Sequence, residues 1–180
     1  MNTWRIAATI ALAIAVAAGC ASKQVNVGID LATARALPDS DGLVTVAMHD
    51  TRRPGVAASS RESLGTPMGN IVFEPPEADV LKARLEADLA RILKARGVTT
   101  PRTFECDLLE LGVNTQPTPL YWDVVGRVRI VLKDGSRNFE LAGTGSEFAF
   151  VWPGEEVVRT AFYRTLDGLS TELQKVADQL

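Results

Sequence analysis

Residues 122–151 read WDVVGRVRIVLKDGSRNFELAGTGSEFAFV, and this stretch decides the fold. In its first half apolar and polar residues alternate, which is the period of a strand with one buried face. The inward positions are Val124, Val128, Ile130 and Leu132, and the outward ones are Arg127 and Arg129. Residues 133–136 (KDGS) predict a tight turn, because Asp-Gly tolerates positive φ. The sequence therefore predicts a hairpin of residues 122–132 with residues 138–151, the second strand bent near Gly143 or Gly145.

Two more strands and two helices surround this hairpin. Residues 43–48 (LVTVAM) and 105–113 (ECDLLELGV) are short apolar runs typical of strands. Their predicted inward faces are Val44, Val46 and Met48 in the first, and Leu109, Leu111 and Val113 in the second. Residues 78–96 and 154–180 repeat apolar side chains every three or four positions, which predicts two helices with one apolar face each.

The predicted order is β-α-β-β-β-α. Two long helices that are apolar on one face need a sheet to cover. We therefore predict an α+β fold, a two-layer α/β sandwich of residues 43–180, in which two long helices cover one face of a mixed sheet. Residues 20–42 are polar and predict a tether with some local order around Val27 to Leu31. Residues 49–77 are rich in Gly, Pro and Ser and predict a long loop, of which residues 69–73 (GNIVF) form a brief extended segment. Long loops are often functional, so residues 52–76 are a candidate partner-contacting surface.

The first twenty residues predict export. Arg5 is followed by thirteen uncharged residues, Ile6 to Ala18, and then by Gly19 and Cys20. This pattern is typical of a signal peptide, here residues 1–19, and the apolar run is too short to span a bilayer. Residues 17–20 (AAGC) resemble the lipobox of bacterial lipoproteins. The resemblance implies that Cys20 is acylated and becomes the new N-terminus, with two or more acyl chains for stable membrane anchoring. Ala21 and Ser22 follow where Asp would mark inner-membrane retention, so the same resemblance implies the outer membrane, inner leaflet, facing the periplasm.

The chain also resembles the YajG-type uncharacterised lipoproteins of Gram-negative bacteria over roughly residues 43–178. The similar features are the lipobox at Cys20, the strand VTVAMHDTR, the helix LKARLEADLARILKARGV, the strand CDLLELGV, the hairpin YWDVVGRVRIVLKDG and a long final helix. This group has no established enzymatic activity. The resemblance therefore implies an address and a fold, and no catalytic role.

Composition argues against several kinds of site. The formal net charge of −3 gives no electrostatic footprint for nucleic acid. One histidine and one free cysteine, Cys106, cannot supply the usual zinc ligand sets, so we predict no metal and no cofactor. With Cys20 acylated, Cys106 has no disulfide partner and is predicted to be buried. Gly143-Thr144-Gly145 lacks the following helix of a phosphate-binding loop and is interpreted as a bend in the sheet.

A hydrolase is the least favoured function. It would use His49 with Ser59 or Ser60, oriented by a carboxylate of Asp107 or Asp123 from another strand. Asp50 is adjacent to His49 and points to the opposite strand face, so it is badly placed for that role. We therefore predict a non-enzymatic protein, with His49 exposed at a strand end.

Five residues are the candidate partner-binding positions: Arg52, Arg53, Tyr121, Trp122 and Trp152. The arginines could meet lipid phosphates or an acidic partner, and a solvated loop pair is the alternative. Tyr121 and Trp122 should lie near Phe148, Phe150 and Trp152 in an antiparallel hairpin. We interpret these aromatic residues as core, and a hot spot for a protein partner or lipid as the alternative.

The sequence thus predicts an outer-membrane lipoprotein with a non-enzymatic periplasmic domain. Its anchor is the acylated Cys20, and its partner is another envelope protein, as for an accessory subunit of an assembly or transport complex. The alternative is a periplasmic carrier of lipid or a small ligand, with a cavity between sheet and helices.

Overall fold

The computed structural model describes residues 24–35, 42–52, 59–63 and 66–180. The predicted signal peptide, residues 1–19, and Cys20 lie outside the described residues. The described strands are β1 (Val25–Gly28), β2 (Val44–Asp50), β3 (Ser60–Ser63), β4 (Thr66–Glu74), β5 (Arg102–Pro117), β6 (Trp122–Asp134) and β7 (Arg137–Ala149). The described helices are α1 (Leu31–Arg35), α2 (Glu77–Ala95) and α3 (Glu155–Lys175), followed by a 3₁₀ turn (Ala177–Gln179).

Strand β5 is the centre of a mixed sheet. One of its edges pairs antiparallel with β6, which pairs antiparallel with β7. Its other edge is shared by two parallel neighbours, β2 along residues 102–108 and β3 at residues 114–115. Strand β4 continues antiparallel from β3, and β1 pairs parallel with β4. The predicted hairpin is confirmed, with Gly135 at φ +59° in its turn.

The helices cover one face of this sheet, and the core lies between the two layers. The predicted inward residues Val124, Val128, Ile130 and Leu132 are at most 2% exposed, and they meet buried side chains of α3 such as Phe162 and Leu166. Helix α2 begins one residue before the predicted start, just after Pro76, with Glu77 and Asp79 in its first turn. The predicted α+β sandwich is therefore confirmed.

Two predicted details of these elements are wrong. The register of β5 against β6 shifts between Leu108 and Glu110, so Leu109 does not share the inward face of Leu111. The β-bulge adds one residue, and the alternation of inward and outward side chains restarts after it. The last helix ends at Lys175, not at the final residue, and the 3₁₀ turn then buries Leu180.

The glycines of β6 and β7 serve contact with a helix. A Cβ added to Gly145 would lie 2.3 Å from the backbone nitrogen of Thr165 in α3, and one added to Gly143 would lie 2.6 Å from that of Leu169. Gly126, paired with Gly145, faces the same helix. The register of β7 runs unbroken through both glycines, so no β-bulge interrupts the strand there. The missing side chains let the helix backbone approach the sheet backbone.

The predicted tether is wrong for residues 25–35. Strand β1 is paired with β4, and Val27 and Ala34 are fully buried. Helix α1 is fixed by Arg84 of α2, whose Nη1 donates a 2.9 Å hydrogen bond to the carbonyl of Ala34. The same guanidinium contacts Asp88 at 2.9 Å, so a buried ion pair supports the N-terminal segment.

The predicted long loop is also partly wrong. Residues 60–63 and 66–74 form β3 and β4, so the segment between β2 and α2 contributes two strands to the sheet. The extended segment predicted at residues 69–73 lies within β4 and is confirmed. Pairing with β1 and β5 stabilises this Gly- and Ser-rich segment as strand, and its own sequence does not predict that pairing.

Candidate functional site

Exposed apolar side chains concentrate at one end of the sheet. Of the seven large hydrophobic residues that are exposed in the described part of the chain, six lie in residues 120–121 and 148–152. We call these six the apolar end: Leu120, Tyr121, Phe148, Phe150, Val151 and Trp152. Leu120 is 80% exposed, and Phe150 and Val151 are each 75% exposed. A contiguous exposed apolar surface of this kind marks an interaction site.

Two tight connections hold the apolar end in place. The turn between β5 and β6 is closed by a 2.7 Å hydrogen bond from the backbone N–H of Thr118 to the carbonyl of Tyr121. The hydroxyl of Thr118 accepts a 3.0 Å hydrogen bond from the N–H of Tyr121, which leaves Leu120 at the tip of the turn. Strand pairing of Trp122 with Ala149 brings this turn beside the segment that links β7 to α3.

The aromatic rings of the two segments contact one another. Tyr121 and Phe148 have ring centroids 6.1 Å apart, and Phe148 and Phe150 have centroids 5.5 Å apart. The indoles of Trp122 and Trp152 pack edge to face at 4.6 Å. The prediction that the hairpin brings these sets together is confirmed. Such contacts fix the ring orientations before anything binds.

The interpretation of these aromatic residues as core is wrong. Phe148 is 54% exposed, because it lies on the face of β7 that the helices do not cover. Strand β7 ends at Ala149 and α3 begins at Glu155, so Phe150 and Trp152 lie in the connection, outside both layers. The alternation of residues in β7 places Phe148 on the face opposite Leu141. This pattern in the sequence could have predicted that Phe148 is exposed.

A groove of about 600 Å³ opens at the apolar end. Its apolar lining is Leu120, Tyr121, Phe148 and Phe150, and its polar lining is Asp123, Ser146, Glu147 and Arg164. The guanidinium of Arg164 pairs with the carboxylate of Glu147 at 2.9 Å and donates a 2.7 Å hydrogen bond to the carbonyl of Ser146. Arg164 and Glu147 on the polar side of the groove are thus paired with each other, and the apolar side is open to an occupant.

Arg52 is held by its own domain. Its Nη2 lies 2.6 Å from Oδ2 of Asp50, and its Nη1 donates a 3.2 Å hydrogen bond to the carbonyl of Leu111. The hydrogen bonds from Arg52 hold the pKa of the Asp50 carboxyl below its ordinary value. The side chain of Arg52 is 18% exposed, so the description of a solvated loop residue does not apply to it. Arg53 lies outside the described residues.

A serine–glutamate contact beside Arg52 was not predicted from the sequence. The hydroxyl of Ser59 donates a hydrogen bond to the carboxylate of Glu77 and accepts a 2.9 Å hydrogen bond from the backbone N–H of Val113. Burial raises the pKa of Glu77 above its ordinary value. This contact joins the start of α2 to β5, and it belongs to the packing of the domain.

The nucleophile and the base of the hydrolase alternative are not bonded to each other. His49 is exposed, and Asp107, opposite it in the register of β5, pairs with Lys133 at 2.7 Å. Ser60 donates a 2.9 Å hydrogen bond to the side chain of Asn114, and Ser59 contacts Glu77. Neither serine is bonded to His49, so the nucleophile–base pair of a triad is not assembled.

Cys106 is fully buried on the inward face of β5, as predicted. Burial raises the pKa of its thiol to about 12, which makes it a poor nucleophile at neutral pH. Across the described ranges, no group of three or more His, Cys, Asp or Glu side chains is arranged to hold a metal ion. Within those same ranges, every helix is too short or too polar to cross a membrane.

No family model and no curated protein matches the chain. Among solved structures, it is similar to one described as "Crystal structure of uncharacterized protein", with 12% sequence identity and a TM-score of 0.45. The similarity covers 87% of this chain and 99% of that one.

Proposed function

We propose that this protein is an outer-membrane lipoprotein, anchored by acyl chains on Cys20, whose non-enzymatic periplasmic domain binds another component of the envelope. The binding surface is the apolar end. The observation that carries the binding role is the exposure of six large apolar side chains in two adjoining segments of a domain with a closed core. Such residues remain in water at a cost unless an occupant covers them.

The anchor rests on the sequence of the first twenty residues. A basic start, thirteen uncharged residues and the AAGC motif together favour export followed by acylation. The resemblance to YajG-type lipoproteins supports the same address. In this reading the domain is an adaptor held at the inner leaflet of the outer membrane, as in an accessory subunit of an assembly or transport complex.

One observation favours the alternative of a lipid or small-ligand carrier, the groove of about 600 Å³ with its aromatic lining. Its volume lies within the range of pockets that hold small molecules. The backbone of α3 lies close against the glycines of the β6–β7 hairpin, so the helix and the hairpin are tightly packed there. Native mass spectrometry of the Cys20→Ser protein would show a retained ligand if the protein is a carrier.

Acylation is tested by metabolic labelling with a palmitate analogue in a Gram-negative host. The wild-type protein should carry the label and sediment with outer membranes on a density gradient, and Cys20→Ser should lose both properties. Cys106→Ser is the matched control and should keep them. A wild-type protein that retains Met1, or a Cys20→Ser variant that stays in the outer-membrane fraction, would overturn the proposal.

Binding through the apolar end is tested in intact cells. A photo-cross-linking phenylalanine analogue at position 150 should capture the bound component, and the same analogue at His49 should capture none. His49 is the control because it is exposed in β2, where it pairs with Asp107, ten residues along β5 from the Pro117 that pairs with Trp122. Equal capture at both positions would count against a specific surface.

A further inference from the structure

The folded domain begins close to the anchor. Strand β1 starts at Val25, so five residue steps separate it from Cys20. At about 3.6 Å per step, a fully extended chain spans at most about 18 Å. With acyl chains on Cys20, the first strand of the domain therefore stays within that distance of the leaflet.

The contacts of the N-terminal segment along α3 show which end of the domain this is. The carbonyl of Ala34 accepts a hydrogen bond from Arg84. The same guanidinium lies 2.9 Å from the carboxylate of Asp167, which is near the middle of α3. Further back, the backbone of Asp30 interacts with the hydroxyl of Tyr163. From Ala34 back to Asp30, the N-terminal segment therefore runs along α3 toward the N-terminus of that helix.

Gly28 reaches the first turns of α3. Its N–H donates a 3.1 Å hydrogen bond to Oε1 of Glu155, and its carbonyl accepts one of 3.3 Å from Nη1 of Arg159. Val25 comes three residues earlier in an extended strand, which is about 10 Å further in the same direction. The chain toward Cys20 therefore leaves the domain beyond the N-terminus of α3.

The apolar end lies on that same side. Trp152 precedes Glu155 by three residues, and Phe150 and Val151 come directly before it. The turn with Leu120 sits beside them through the pairing of Trp122 with Ala149. Both the path to the anchor and the exposed apolar residues are thus found beyond the start of α3.

We infer that the apolar end rests on the phospholipid leaflet that holds the acyl chains of Cys20, with the tips of residues 120–121 and 150–152 in the interfacial region. This inference rests on the proposed acylation of Cys20. It names the envelope component that covers the apolar end.

The chemistry of the two ends of the domain supports this orientation. The far end of the β6–β7 hairpin is charged, since Asp134 contacts Arg102 at 2.5 Å and Arg137 at 3.1 Å. It lies about 40 Å from Trp122 along β6, twelve residues away. Tyr and Trp rings favour the membrane–water interface, where an apolar ring and a polar group are both satisfied. Transfer of the neighbouring Leu, Phe and Val side chains from water into the membrane interface lowers the free energy.

The tryptophans of the mature chain provide the probe. Of the three in the sequence, Trp4 belongs to the predicted signal peptide, so Trp122 and Trp152 remain; Trp152 is part of the apolar end, and Trp122 packs against it. The acylated protein is reconstituted into phosphatidylethanolamine–phosphatidylglycerol vesicles that contain acyl-brominated phospholipid. Bromine quenches only nearby indoles, so we expect a loss of tryptophan emission relative to vesicles without bromine.

The variant Leu120→Ser/Phe150→Ser should lose most of this quenching, while it still floats with the vesicles through its acyl chains. Val72→Ser is the matched control, because Val72 is the seventh exposed hydrophobic residue and lies in β4, away from both segments. It should be quenched like the wild type. Circular dichroism of both variants verifies that they are folded.

The outcomes separate the two proposals. If the wild-type protein floats with the vesicles but its tryptophans are not quenched, the proposed orientation is wrong and the acylation of Cys20 is unaffected. Protein that lacks the acyl mass and does not float overturns the acylation of Cys20 itself. Capture of a protein, and not lipid, by the cross-linker at position 150 would assign the apolar end to a protein partner and would also overturn the orientation.

Discussion

The backbone N–H of Gly28 donates a hydrogen bond to the carboxylate of Glu155 across 127 positions of sequence. This contact fastens the first strand to the first turn of the last helix. It places the N-terminal segment and the apolar end on one side of the domain. Without it, β1 would be held at this point by its pairing with β4 and by Arg159.

Glu155→Ala should loosen β1. The variant removes the acceptor for Gly28 and the ion pair with Arg159 at 3.0 Å, so amide exchange across residues 24–30 should become faster. The free energy of unfolding should fall by only about 1 kcal/mol, since the bond is exposed. Hydrogen–deuterium exchange measured by mass spectrometry checks this. Glu156→Ala controls for the loss of negative charge at the helix start, and an identical exchange pattern in both variants would contradict the assignment.

Arg84→Ala should be strongly destabilising. It removes the buried ion-pair partner of the 3%-exposed Asp88 at 2.9 Å, so that Asp88 keeps Ser170 and the exposed Arg91, and it removes the donor to the carbonyl of Ala34. Breaking a buried pair from one side costs about 3–5 kcal/mol. Urea unfolding measures the change. Arg91→Ala is the control, because Arg91 also pairs with Asp88 but is 47% exposed, and it should cost less than about 1 kcal/mol. Similar losses in the free energy of unfolding for both variants would contradict the role assigned to the burial of Arg84.

Gly145→Ala should push α3 off the sheet. The new Cβ would lie 2.3 Å from the backbone nitrogen of Thr165, and helix backbone cannot yield as a side chain does. We expect a loss of about 3 kcal/mol or failure to fold, at the upper end of overpacking effects. Thermal unfolding compared with Gly154→Ala tests this, since a Cβ at Gly154 meets nothing within 4 Å. A wild-type melting temperature for Gly145→Ala would refute the close approach.

Cys106 should be silent toward thiol reagents until the protein unfolds. Its folded pKa of about 12 exceeds the ordinary value of 9.0, so the folded state binds the thiol proton more tightly. The contribution of the protonated Cys106 thiol to the free energy of unfolding is fully present below pH 9. It decreases as the pH rises toward 12, because the thiol of the unfolded chain ionises first. Cys106→Ala should flatten that decrease in urea titrations at several pH values. Rapid labelling of native Cys106 at pH 8 would contradict the assigned burial.

Local sequence patterns predicted the elements that are defined by their own residues. The helix at residues 78–96 was placed within one residue at each end, because Pro76, the acidic first turn and Gly97 mark its limits. The β6–β7 hairpin followed from strict alternation and an Asp-Gly turn. The burial of Cys106 was also predicted, from its lack of a partner.

Other features depend on residues far apart in the chain. Strand β1 has four residues, of which only Val27 is fully buried, and it exists because Val25 pairs with Ile71 of β4. The β-bulge at Leu109 is a property of the pairing of β5 with β6. The apolar end was identified as an aromatic cluster, but alternation alone could not show that Phe150 and Trp152 lie past the last strand residue.

The sequence by itself determined the hairpin, the two long helices with their apolar faces, and the expectation of an acylated cysteine at position 20. Each of these depends on side-chain spacing or on a motif within a few consecutive residues. Only the tertiary structure decided that β1 belongs to the domain, that Arg52 is bound by Asp50, and that the apolar end is exposed on the side of the domain where β1 begins. The physical reason is that burial depends on which distant elements pack on a face, and local periodicity carries no record of those contacts.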